Sequence, residues 1–129
     1  MDGSVQIPFQ AQSGGLIIRF NNRDLVERKP ATFKALADLI KAHQAKVVLV
    51  DMRGIPGEAS FLDRYELGEM TARHLPRVTL GVLSTEPQLD RGRIALVVAT
   101  NRGMRIEIFT DPAAADAWFA KNTTPEVPR

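Results

Sequence analysis

The sequence predicts an α/β fold: a mainly parallel, mixed sheet that opens with a β-hairpin and carries four helices, in the order ββαβαβαβα. Three observations predict it. Val47-Val48-Leu49-Val50 is a short β-branched run that stops abruptly at Asp51-Met52-Arg53-Gly54, the pattern of a strand buried on both faces. Segments of helical periodicity separate this run from others like it, and strands alternating with helices demand right-handed crossovers and a parallel sheet. Near the start, Val5, Ile7 and Phe9 alternate with polar neighbours, as do Leu16, Ile18 and Phe20, about the turn signal Gln12-Ser13-Gly14-Gly15. That is a hairpin with one face buried, and it gives the sheet an antiparallel edge.

The remaining elements follow in order. After Asn21-Asn22 an irregular charged stretch leads to Pro30, where a helical pattern opens. Phe33, Leu36, Ala37 and Ile40 make one apolar stripe, with Lys34, Asp38 and Lys41 outside it. A strand over 46–52 comes next. In the helix predicted over 60–75 the stripe is Phe61, Tyr65, Gly68, Ala72 and Leu75, and Pro76 ends it. Residues 77–84 read as a strand. Thr85 and Gln88 then form a capping box, a helix runs over 89–102 with Ile94, Val97 and Val98 on one side, and Gly103 suits a left-handed cap. The β-branched residues 94–99 also allow a strand that turns at Asn101-Arg102-Gly103 into a strand from Met104. Helix is preferred because the segment is longer than the usual ~5–6 residues of a strand. Asp111 as N-cap and Pro112 as first residue open the last helix, which buries Ala115, Trp118 and Phe119. Residues 1–122 thus make one domain, and 123–129, with two prolines, a loose tail.

Composition narrows the function classes. At 129 residues the chain can bury a core of its own. With no cysteine it has no disulfide, thiol nucleophile or thiolate metal site. No apolar run reaches the ~20 residues of a membrane span, and Met1-Asp2-Gly3-Ser4 does not start a signal peptide, so a cytoplasmic location is expected. The net charge is +2, with basic residues scattered beside acids and only one Trp and one Tyr, which argues against nucleic acid as a partner. His43 and His74 sit near helix C-termini, where an imidazolium complements the dipole. No ligand spacing for a metal and no glycine fingerprint for a phosphate or cofactor is present.

In open α/β sheets, ligands and partners gather at the carboxyl ends of the strands. Asp51 and Arg53, the Ser60 loop, Ser84-Thr85 and Thr110-Asp111 fall on that rim. A catalytic reading would take Asp51 as base with Ser84 or Asp111 nearby. Yet Thr85 and Asp111 are explained as helix caps, and an Asp at a strand end accepts bonds from loop amides. Phosphoacceptor chemistry at Asp51 would need an acidic pair near the first strand, where Asn21-Asn22 stands, so Mg²⁺ would lack oxygen ligands. Ser60, with Asp63 three residues on, matches a capping box; the same exposed helix N-terminus would stabilise a phosphate on that hydroxyl.

The run Val47–Gly54, the helix over 60–75, and the segment 101–111 running into Ala117-Trp118-Phe119 resemble the STAS (sulfate transporter and anti-sigma-factor antagonist) fold, in its stage II sporulation protein AA-like branch. The resemblance covers most of the chain. It implies a small non-enzymatic, cofactor-free domain that binds a partner protein, such as a kinase-type anti-sigma factor. It also implies a phosphoacceptor serine at the start of the second helix, at or beside Ser60. Where the family's loop reads Asp-Ser-Ser-Gly, this chain has Glu58-Ala59-Ser60-Phe61. The expected partner surface is Asp51, Arg53, Gly54, Glu58, Phe61, Leu62 and Tyr65. The branch is also similar in fold to the CRAL-TRIO lipid-binding domain, which implies a second possibility, an apolar ligand beside the sheet. Leu62, Leu67 and Met70, outside the strict stripe, would then line a groove or a homodimer face.

Overall fold

Alternation along each strand decides how the layers form. The structure is a computed structural model and describes residues 5–12 and 14–123, apart from the side chains of residues 89–92. The strands are β1 (Phe9–Gln12), β2 (Gly15–Arg19), β3 (Val47–Asp51), β4 (Thr79–Leu83) and β5 (Arg105–Phe109). Between and after them come α1 (Asp24–Glu27), α2 (Lys29–Ala42), α3 (Phe61–His74), α4 (Glu86–Asn101) and α5 (Pro112–Thr123). The sheet order is β1-β2-β3-β4-β5, antiparallel between β1 and β2 and parallel elsewhere. This is the mixed α/β architecture the sequence predicts.

Register aligns the apolar positions in rows. Leu16, Val48, Leu80 and Ile106 stand side by side, and Ile18, Val50, Val82 and Ile108 form the next row. These rows face α1 to α4, whose Leu25, Phe33, Leu36, Ile40 and Leu67 complete the larger core. The opposite face carries Val47, Leu49 and Leu83 and is covered by α5 through Ala115 and Phe119. Two glycines let α5 approach. A Cβ on Gly81 would lie 2.5 Å from the Trp118 ring, and one on Gly15 would lie 2.6 Å from that of Phe119. On the other side α3 packs between α2 and α4. It meets α4 so closely that a Cβ on Gly68 would lie 2.4 Å from the Ala95 carbonyl oxygen.

Several expectations need correction. The charged stretch before Pro30 contains a helical turn, α1, because Leu25 and Val26 are both buried and Asn22 Oδ1 accepts from the Asp24 amide at 2.9 Å. Two apolar residues carry no period, so the turn was invisible in the pattern. β1 is exposed throughout, with Phe9 at 47% and its ring edge-on to His43, so the buried face of the hairpin is β2 together with the half-buried Ile7. In α3, Phe61 is exposed, whereas Leu67 is in the core with Met70 packed against it. In α4 the inner residues are Val98 and Ala99, and Val97 is half exposed. The stripe residue Gly68 does face inward, against Ala95, and the buried side chain beside it is Leu67. α4 itself is a helix, as preferred, with the Thr85–Gln88 capping box in place and Gly103 at φ +94° behind it. α5 continues through Thr123; the predicted tail beyond it lies outside the described residues. Among the described residues, no helix is long and apolar enough to cross a membrane.

Candidate functional site: a cavity at the strand ends

Parallel pairing from β2 to β5 brings the strand carboxyl ends to one edge. Asp51 ends β3 there. Its Oδ1 accepts from the Arg53 amide at 3.0 Å and from Arg53 Nε at 3.0 Å, and its Oδ2 from Arg53 Nη2 at 2.9 Å. Burial works to raise the Asp51 pKa, but the Arg53 bonds and the charges of Arg53 and Arg19 outweigh it and hold the carboxyl below its ordinary value. The same bond raises the Arg53 pKa. A carboxylate with this bidentate partner is a poor base, and it orients the first residues of the loop instead.

That loop, 52–59, is held by side chains on its carbonyls. Gln88, while capping α4, donates from Nε2 to Met52 O at 2.8 Å. Arg23 donates to Pro56 O at 2.7 Å and to Glu58 O at 2.9 Å, and Arg64 Nη1 donates to Ala59 O at 2.9 Å. Gly57 has φ +77°, and a Cβ there would also meet Arg23 Nη1 at 2.6 Å, so this position demands glycine.

Ser60 is the N-cap of α3. Its Oγ accepts from the Asp63 amide at 3.0 Å, and Asp63 Oδ2 accepts from the Ser60 amide at 3.2 Å. Asp63 Oδ1 also receives Lys29 Nζ at 2.6 Å. The Lys29 bond first, and the Ser60 bonds after it, pull the Asp63 pKa down to about 2. At the other end of the rim, Asp111 caps α5 by accepting from the Ala113 amide at 3.1 Å.

Between the sheet and α1 to α4 lies a cavity of about 450 Å³, within the range of small-molecule sites. Its floor is Val50, Leu80, Val82, Ile106 and Ile108, and its far walls include Phe33, Leu36, Leu67 and Leu75. Small residues on the helices border this space: α3 and α4 touch through Gly68 and Ala95, and Thr71 and Ala99 also line it. The exposed Arg53, Gly57, Glu58 and Pro87 mark its opening on the rim. Arg64 and Ser84 belong to its lining, and each has a buried polar atom, Arg64 Nε and Ser84 Oγ, with no hydrogen-bond partner among the described residues.

The structure therefore brings together part of the predicted surface. Arg53 and Glu58 line the cavity, and Asp51 holds Arg53. Gly54 packs behind the loop, where a Cβ would meet Phe20 O at 2.8 Å. Phe61, Leu62 and Tyr65 do not line it; Phe61 and Leu62 are 64% and 63% exposed on the first turn of α3, and Tyr65 is half-buried. Arg64 was missed, because one arginine on a charged helix carries no pattern. The combination of small residues on two helices facing a β-branched floor was the available signal. Among the described residues, no group of three or more His, Cys, Asp or Glu could hold a metal ion. No protein-family model matches the chain, and no curated protein matches it.

Proposed function

We propose that this domain is a non-enzymatic binding module whose cavity takes a small molecule with an apolar body. The observation that carries this reading is the cavity of about 450 Å³, apolar on floor and walls, whose lining residues Arg64 and Ser84 each have a buried polar atom without a partner among the described residues. Such atoms cost stability unless something satisfies them. The paired state of Asp51 supports a binding rather than a catalytic rim. The test is displacement of a hydrophobic fluorophore by dodecanol, in the wild type and in Val82→Phe, which fills the floor. Wild type binds with micromolar affinity and Val82→Phe does not, while Phe61→Ser binds as wild type. Absence of binding by wild type, or full binding by folded Val82→Phe, would overturn the reading.

A second reading, partner-protein docking in the manner of the STAS-like resemblance, is favoured by Phe61 and Leu62, adjacent and exposed beside the capping Ser60. Arg53, Gly54 and Glu58 on the neighbouring loop would complete that surface. A phosphate on Ser60 would stand next to the Asp63 carboxylate and compete with it for Lys29, so a kinase-type partner would weaken this cap. Leu62→Asp abolishes capture of such a partner if this reading holds, and Ser60→Ala abolishes labelling by ATP. Sedimentation of Leu62→Asp against wild type distinguishes a second copy of the chain as the occupant.

A further inference from the structure

We infer that the molecule held in the cavity is an amphiphile with a carboxylate head, received by the Nε–Nη2 edge of Arg64. The inference rests on the cavity reading and adds the chemistry of its polar end.

The cavity is polarised along the strands. Leu80, Val82 and Ser84 share one face of β4 and its continuation, and the four steps from Leu80 to Ser84 span about 13 Å. Ser84 lies at the carboxyl end, where its amide donates to Phe109 O at 2.9 Å. Arg64 is at the same end of the sheet, because its Nη1 bonds Ala59 on the loop that follows β3. The opposite end, around Leu36, Leu75 and Ile106, is apolar.

A guanidinium presents two donors side by side along its Nε edge, the spacing of two carboxylate oxygens. In Arg64 the loop carbonyl occupies Nη1 and leaves that edge available, with Nε buried and unpartnered. Two of the acids at this end are paired with other cations, Asp63 with Lys29 and Asp51 with Arg53, and Glu58 stands at the exposed opening. Ser84 is 5% exposed, and its unpartnered hydroxyl offers a further hydrogen bond at the polar end. An anionic head at Arg64 with an alkyl body along β4 matches the charge at this end and the apolar walls. A neutral amphiphile could accept a hydrogen bond there but would leave the guanidinium charge unmatched, and a cationic one would oppose it.

Isothermal titration of the full chain with dodecanoate, dodecanol, dodecyl phosphate and dodecyltrimethylammonium tests this. Dodecanoate binds about 10- to 100-fold more tightly than dodecanol, the usual gain from a charge-assisted pair of hydrogen bonds. Arg64→Met binds acid and alcohol alike, and its retained affinity for dodecanol shows an intact cavity. Arg64→Lys, which keeps the charge without the fork, retains only part of the preference and covers the case in which Arg64→Met fails to fold. Equal binding of acid and alcohol by wild type overturns the carboxylate and leaves the cavity reading standing. Preference for the ammonium or the phosphate overturns the proposed head group. No binding of any of the four overturns both.

Discussion

Replacing Asp63 by Asn removes a charge while keeping the capping bond, because the amide oxygen can still accept from the Ser60 backbone. What is lost is the ion pair with Lys29 at 2.6 Å, whose lysine side chain is only 11% exposed. The Asp63 pKa is lowered from 3.8 to about 2 in the folded chain, chiefly by that lysine. At ~1.4 kcal/mol per pKa unit the difference is worth on the order of 2 kcal/mol. The aspartate is 30% exposed, and solvent screening reduces this to about 1–2 kcal/mol. A depressed carboxyl stabilises the fold above its unfolded pKa and loses that stabilisation as pH falls through the folded value. The contribution is therefore complete above about pH 5 and fades between about pH 4 and about pH 2.

Urea unfolding followed by far-ultraviolet circular dichroism reads this directly. Near pH 7 Asp63→Asn is less stable than wild type by about 1–2 kcal/mol, with some further cost from the stranded Lys29 charge. That gap narrows as pH approaches about 2. Other carboxylates, Asp51 among them, titrate in both proteins and cancel in the difference. Relative to Lys29→Met, the double variant Lys29→Met/Asp63→Asn shows a smaller pH dependence, the part that comes from the Ser60 bonds. A gap that stays constant from about pH 6 to about pH 2 would refute the argument, since the pair would then contribute nothing through charge.

Three further outcomes follow from the packing. Gly68→Ala places a methyl 2.4 Å from the Ala95 carbonyl, which is helix backbone and cannot swing aside; it costs about 1–3 kcal/mol in urea unfolding, and an unchanged midpoint would mean that α3 and α4 are farther apart. Gly81→Ala puts a methyl 2.5 Å from the Trp118 ring; it shifts the emission of this single tryptophan and costs about 1–3 kcal/mol, and unaltered emission would refute the seating of α5. Ser84→Ala removes a buried hydroxyl that has no partner, so the ligand-free protein gains up to about 1 kcal/mol, and a loss of stability would show that the hydroxyl is bonded.

The fold was legible wherever one physical signal acted alone. Val47–Val50 announced a buried strand because apolar β-branched residues in a run leave no face for water. Ser60 with Asp63, and Thr85 with Gln88, announced helix starts because capping is local: each box closes over four residues whatever the rest of the chain does. What was not legible depended on partners distant in sequence. The alternation of Val5, Ile7 and Phe9 suggested burial, but β1 is an edge strand with no helix over it. Phe61 and Leu67 sit on one helix, and it is packing against elements distant in sequence that buries Leu67 and leaves Phe61 exposed. Arg64 became a site residue for the same reason. Its meaning lies in the loop carbonyl it binds and the cavity it borders, and neither adjoins it in a sequence pattern.

The small residues at the α3–α4 contact and the unpartnered polar atoms on the cavity lining are separate departures from ideal packing, yet they coincide. Gly68 and Ala95 allow the two helices to touch; the resulting space over Val82 and Ile108 forfeits dispersion contacts that larger side chains would supply. Arg64 Nε and Ser84 Oγ forfeit hydrogen bonds in the same space. A packing defect alone would leave an apolar void, and a structural arginine alone would have its donors filled. A bound amphiphile restores both kinds of lost interaction at once. Its affinity would then draw on two costs already present in the ligand-free fold, without requiring the loop 52–59 to leave the arginines that hold it.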